Sequence, residues 1–255
     1  MRADDTFEEL IDDAVRTPFQ GWDFSYLKGR ITESALPWDY ATRARERMRV
    51  AQSMLDMGTG GGEFLSSLAP LPPSTSATEG YAPNVILARQ RLEPLGVKVF
   101  DMTGDQENRQ LPFPAEHFDL VINRHEAYVG KEVWRILRPR GCFLTQQCGG
   151  RDPLSVVEYL KGAVQPTDWT VATASKELDE AGFRIADQRE SYAEYCFLDI
   201  GAVVYYLRAI PWLVEDFSVD TYRDRLFAMH THIQKQGGLR VQEHRFLIEA
   251  VKLRC

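Results

Sequence analysis

The sequence is short of cysteine, of positive charge and of long apolar runs, and each shortage narrows what the chain can be. It has four cysteines in 255 residues, Cys142, Cys148, Cys196 and Cys255. None forms a CxxC pair, and no His/Cys cluster has the spacing of a zinc site. No disulfide framework and no bound metal are therefore expected, only free thiols in a reducing, cytoplasmic setting. Lysine and arginine number 30 against 37 aspartates and glutamates, a net charge of −7. A nucleic-acid backbone wants a basic surface, so it is disfavoured as the main partner. No apolar run reaches the roughly 18 residues of a membrane helix. The opening MRADDTFEEL is acidic and has no apolar stretch, so no secretory leader is expected. There is no internal repeat and no low-complexity tract.

What is present is an ordinary soluble composition, 44% hydrophobic and 26% charged. The length suffices for one sizeable core with appendages. The chain is organised around LDMGTGGGEFL, residues 55–65. It reads as a buried strand over residues 53–57, a glycine turn and the start of a helix. Gly58, Gly60 and Gly62 let the backbone turn tightly and admit a ligand close to the main chain. Asp56 stands two residues before the first of them.

Before this turn, Phe7, Leu10, Ile11, Ala14 and Val15 mark one face of a helix whose Thr6 and Glu9 fit a capping box. Proline ends it near Pro18. Residues 21–30 are an aromatic loop with Trp22, Phe24 and Tyr26, readable either as a segment stapled to the core or as a lid over a cleft. A helix over about 37–50 carries Arg43, Arg45, Arg47 and Arg49, which reads as a solvated face or, alternatively, an RNA patch.

After the turn, helices at 63–69, 83–95 and 132–137 alternate with strands at 75–79, 97–100, 118–123 and 142–147. The run FDLVIN at 118–123 is nearly all apolar, as a strand covered on both faces should be. A helix at 171–181, a strand at 183–190 and a last strand at 241–252 follow. Between these last two lies a segment with helices of its own, in which His230 and His232 are expected to be solvated. The alternation predicts an α/β fold: a seven-stranded, mostly parallel Rossmann-like sheet with helices on both faces and right-handed crossovers. A helical lid segment would occupy residues 1–50. The cofactor-binding domain would span 51–255, with a helical insertion at about 192–238.

In such sheets ligands sit outside the carboxyl ends of the strands. That points to residues 56–62, Glu79, the loop over 101–107, and Asn123, Arg124, His125 and Glu126. The glycines fail G-x-G-x-x-G from either start, because the sixth position is Glu63 or Leu65. A P-loop is excluded for want of its lysine. A ligand with a ribose and no phosphate fits better. Glu79 at the end of a strand can accept from two hydroxyls, or else serve as a charge at a helix N-terminus. Asp56 suits a ligand carrying positive charge.

These motifs together resemble those of class I S-adenosylmethionine-dependent methyltransferases. LDMGTGGGEFL is similar to their first motif, and Thr78-Glu79-Gly80 before a helix to their second. LPFPAEHFDLVINRHEAY (111–128) and EVWRILRPRGCFLTQQ (132–147) resemble the ubiquinone/menaquinone-type small-molecule subgroup. The resemblance implies S-adenosylmethionine as cofactor, with S-adenosylhomocysteine as product. It implies a methionine cradle from Asp56, Gly58, Thr59, Gly60 and Gly62, and ribose contacts at Glu79 and Gly80. It also implies adenine contacts at Asp105 or Gln106, with Asn123 and Arg124 bordering the cofactor. The antiparallel last strand at 241–252 belongs to the same picture. A small-molecule acceptor is expected, with Trp22, Tyr26, Tyr205 and Tyr206 as pocket residues. His125, with Glu126 beside it, is the candidate base where the acceptor must lose a proton, and otherwise a packing residue. An RNA or protein methyltransferase is the rival enzyme, but the Asn-Pro-Pro-Tyr-like element of amino-group nucleic-acid methylation is absent. A non-catalytic protein binding the same cofactor is the rival of another class.

Overall fold

The computed structural model describes residues 3–104, 110–152, 154–162 and 166–253. The strands are β1 (Ile31–Glu33), β2 (Ser53–Met57), β3 (Ser74–Glu79), β4 (Lys98–Asp101), β5 (Phe118–Arg124), β6 (Leu137–Cys148), β7 (Phe183–Phe197) and β8 (Leu239–Lys252). The helices are α1 (Ala3–Arg16), α2 (Tyr40–Met48), α3 (Glu63–Ser67), α4 (Ala82–Leu92), α5 (Gly130–Ile136), α6 (Leu154–Lys161), α7 (Val171–Glu180), α8 (Ile200–Ala209) and α9 (Arg223–Gln236).

The strands form one sheet in the order β1-β7-β8-β6-β5-β2-β3-β4. Pairs β2–β3, β3–β4, β2–β5 and β5–β6 are parallel. Strand β8 runs antiparallel between β6 and β7, and β1 antiparallel on the outer edge of β7. The sheet therefore has eight strands rather than seven. The extra one is β1, three residues paired with the far end of β7, too short to leave a period in the sequence. Strand β7 also runs on to Phe197, past the expected end at 190. Helix α6 was not anticipated, and α1 begins at Ala3, so Thr6 lies inside it rather than capping it.

Every residue of β2 is buried, because helices cover both faces. On one face Met54, Leu120, Ile122, Leu144 and Leu247 pack against Trp38, Tyr40 and Met48 of the α2 region. On the other, Leu55, Met57, Val121, Phe143, Phe246 and Ile248 pack against α5 and α7. A third cluster joins α1, α6, α8 and α9 over Phe197 and Val241. In it His230 is 1% exposed and packs 5.5 Å from Phe7, so the expectation of a solvated histidine was wrong. Its partner in sequence, His232, is half-buried beside Tyr159.

The arginines of α2 are likewise not a free basic face. Arg43 pairs with Asp187 at 2.7 Å, and Arg47 pairs with Glu249, whose side chain is 3% exposed. Arg45 donates to the Ser67 carbonyl. The chain's free cysteines among the described residues are Cys142, Cys148 and Cys196. Among those residues no helix is long and apolar enough to cross a membrane, and no group of side chains is poised to hold a metal.

Candidate active site

Strand order reverses at β2: the chain leaves it toward β3 and β4, then returns on its other side with β5. The glycine turn closes this strand. Gly58, Gly60 and Gly62 all have positive φ, 67°, 62° and 82°. A side chain at Gly62 would drive into Leu92 of α4, and one at Gly58 into Glu126. The turn is tied down by the Thr59 amide donating to the Thr78 carbonyl at 2.9 Å. The Gly60 amide donates to Glu79 Oε2 at 2.7 Å, and the Tyr81 amide to Glu79 Oε1 at 2.8 Å. Glu79 is thus a buried carboxylate fixed at the lip of the turn, its pKa raised by burial against the pull of these amides. Gly80 follows it with open space where a side chain would stand.

Asp56 is 3% exposed. Burial pushes its carboxyl up to about 7, while the Thr59 hydroxyl and Arg124 pull it down and Glu79 raises it slightly. A buried acid in this state is poised to ionise when a cation arrives. Arg124 lies over the Phe64 ring at 4.7 Å. Asn123 is fully buried on the opposite face from Asp56. There its Oδ1 accepts from Thr145 at 2.8 Å and from Gln147 at 2.6 Å. Asp105 and Gln106, expected near an adenine, lie outside the described residues.

His125 sits just past β5 with φ 63°. Its Nε2 is 3.3 Å from Gln146 Nε2 and its Nδ1 3.3 Å from Cys148 Sγ. Gln146 is oriented by Trp38, whose indole N–H donates to Gln146 Oε1 at 2.8 Å. That leaves the Gln146 amide N–H groups to face His125, so Nε2 accepts and Nδ1 carries the proton. Burial, with Arg245 and Arg124 adding, holds the ring well below the usual histidine range, so it is neutral at physiological pH. Glu126 is exposed and its side chain covers Gly58.

The aromatic loop comes down on the turn. Gly21 and Trp22 abut Glu63, Gly61 and Gly60. Trp22 stacks on Trp212, rings 6.1 Å apart and 4° from parallel. Tyr26 packs on Tyr205, rings 4.4 Å apart and tilted by 31°, and donates to Asp13, and Tyr205 donates to the Asp23 carbonyl. These two tyrosines hold the loop to α8. Tyr206, beside Tyr205 on the helix, instead packs on Phe24 and Tyr195.

Alternation of the strands sets a row of polar side chains along one face at the carboxyl ends. Glu79 of β3, Asp56 of β2, Arg124 of β5, Gln146 and Cys148 of β6, and Arg245 and Glu243 of β8 share this face, by the registers that pair Asp56 with Ala77 and Ile122, Arg124 with Gln146, and Cys148 with Arg245. Burial raises the Cys148 thiol to about 12 and Glu243 to about 7, Arg245 opposing both shifts. Gln146, Cys148, Glu243 and Arg245 had no place in the site expected from the sequence. The available signal was the alternation in VQEHRFLIE, which puts Val241, Glu243, Arg245 and Leu247 on one face, but register is needed to say which face it is.

Residues 55–145 match the family described as "Methyltransferase domain". No curated protein sequence matches the chain. Among solved structures, the YcgJ protein of Bacillus subtilis is 14% identical with a TM-score of 0.60, covering 85% of this chain and 99% of that one. The [4+2]-cyclase SpnF is 15% identical at 0.55, covering 98% and 96%. Phosphoethanolamine N-methyltransferase 2 of Haemonchus contortus, solved with S-adenosylmethionine, is 16% identical at 0.52, covering 98% of this chain and 57% of that one. At these identities the likeness is one of fold, and it agrees with the sheet order and the glycine turn. Residues 55–145 thus match a methyltransferase domain, and the chain as a whole has the Rossmann-like α/β fold of these structures.

Proposed function

We propose that the chain methylates a small-molecule acceptor, in the manner of the ubiquinone/menaquinone-type enzymes its central motifs resemble. Asp56, Gly58, Thr59, Gly60, Gly62, Glu79 and Gly80 would hold the cofactor. The observation that carries this reading is the joint between adjacent strand ends, where the Glu79 carboxylate takes the Gly60 amide at 2.7 Å. That contact leaves lone pairs on both carboxylate oxygens for hydroxyl donors. The three left-handed glycines keep the cradle free of Cβ atoms, and Asp56 offers a buried anion to a positively charged ligand.

S-adenosylmethionine, when bound, supplies a methyl group activated by its sulfonium. The protein's part is to orient the acceptor and exclude water. Orientation alone can be worth about 7–11 kcal/mol. The aromatic loop, with Trp22 over Gly60, would be the lid, within a lid segment spanning residues 1–50. Residues 51–255 would form the cofactor-binding domain, with the helices between β7 and β8 as its insertion. Tyr206 would line the acceptor side, with Tyr26 and Tyr205 holding the lid in place. His125 would serve as base, where the acceptor must lose a proton, only by giving up the bond its Nε2 accepts from Gln146, and is otherwise a packing residue; its ring lies along the row toward Cys148. The arginine row of α2 offers no support for an RNA substrate, since Arg43 and Arg47 are committed to Asp187 and Glu249.

The test is calorimetry with S-adenosylhomocysteine. The wild type is expected to bind and Glu79→Ala to bind at least about tenfold more weakly, a loss of about 1.4 kcal/mol. Equal affinities would remove Glu79 from the cofactor site. Turnover of labelled methyl donor over a metabolite panel then separates an enzyme from a sensor and small acceptors from RNA or protein.

A further inference from the structure

The polar row does not stop at the cofactor turn. It continues across β5 and β6 to β8, three strand spacings or about 14 Å from β2, and ends at a group the reading above does not use. There Arg245 is held between two carboxylates. One is Asp152, whose side chain is 5% exposed, and the other is Glu243, which accepts from Arg245 Nη2 at 2.9 Å and whose side chain is 15% exposed. The Arg245 guanidinium also donates to the His244 carbonyl. Tyr195 and Tyr206 wall this group, their rings 6.2 Å apart, and Phe24 of the aromatic loop lies on Tyr206. Glu33 of β1, opposite Tyr195, adds a further carboxylate at the edge.

The charges decide what fits. One guanidinium faces two carboxylates within contact distance in partly buried surroundings, so Arg245 can balance one of them and the second, Glu243, is left to bind a proton or another cation. An anionic acceptor would meet repulsion from Asp152 and Glu243, which already hold Arg245 through Nη1 and Nη2. A neutral acceptor would leave Glu243 to hold a proton instead of a partner. A cation would complete the pairing, and the tyrosine faces favour one as well. We infer that Glu243, with Tyr195 and Tyr206, forms the specificity subsite of this enzyme and receives a cationic amine carried by the acceptor. This rests on the methyltransferase reading above. It assigns the charged group of the acceptor and leaves the methylated atom aside.

The experiment uses the full chain with labelled S-adenosylmethionine and a panel of small molecules, each amine paired with its N-acetyl and its hydroxyl counterpart. Turnover is expected only for amine-bearing members. Glu243→Gln, close in shape to the protonated acid, is expected to raise KM for the best amine about tenfold or more with kcat within a few-fold, and Glu243→Asp to recover part of it. Thermal melting and S-adenosylhomocysteine binding should match wild type in both variants. A best acceptor that is anionic or neutral, or an unchanged KM in Glu243→Gln, overturns the subsite. Failure of the wild type to bind S-adenosylhomocysteine would instead overturn the cofactor site on which it rests.

Discussion

At the scale of single residues, Asp56 is a buried carboxyl held at the expense of stability. Its carboxyl titrates near 7 in the folded chain because it is buried, whereas in the unfolded chain it would titrate near 3.8. Between those values the unfolded state releases the proton first, so this group's contribution to stability is full below pH 4 and falls as pH rises through 7. Asparagine has no proton to lose. Asp56→Asn should therefore melt close to wild type at pH 4 and higher at pH 8, by up to about 4 kcal/mol of stability for a shift of this size. It should lose S-adenosylhomocysteine affinity at the same time. A variant that is less stable than wild type at pH 8 would show that the carboxylate is already satisfied within the protein. The residues of the turn were readable in advance because their constraint is local: three glycines with positive φ and one acid need only a strand before them and a helix after.

At the scale of elements, α2 departs most from its appearance in sequence. Four arginines in seven residues look like a solvated face, yet two of them close over Glu249, a carboxylate on the buried face of β8. Removing both cations with Arg43→Met and Arg47→Met would strand that charge, a loss of about 3–5 kcal/mol. Adding Glu249→Gln should restore most of the melting temperature. If the double variant melts like wild type, the network contributes nothing. The sequence could not disclose this pairing, since Glu249 lies about 200 positions away and the contact depends on β8 inserting between β6 and β7. The same holds for β1 and the far half of β7: their pairing is long-range, and three residues carry no period. The central strands, by contrast, announced themselves, because strands covered on both faces must be continuously apolar.

At the scale of the whole molecule, the aromatic loop ties the glycine turn of the parallel sheet to the helical segment between β7 and β8. Trp22 and Trp212 join the loop to the segment after α8 directly above Gly60. Both residues are exposed, 37% and 63%. Hydrogen exchange over residues 19–30 and 210–214 should slow when S-adenosylhomocysteine binds, and Trp212→Ala should abolish most of that protection while melting near wild type. Unaltered exchange in the wild type would detach this loop from the cofactor site.

The sequence by itself determined the glycine turn, the acids at Asp56 and Glu79 and the alternation that makes a parallel sheet. Each of these rests on neighbours within a few residues or on a period along the chain. Only the tertiary structure decided the eighth strand, the burial of His230, the engagement of the α2 arginines and the row from Asp56 to Glu243. Those depend on strand register and on contacts between distant segments, and a one-residue slip of register would turn Glu243 and Arg245 to the other face of the sheet.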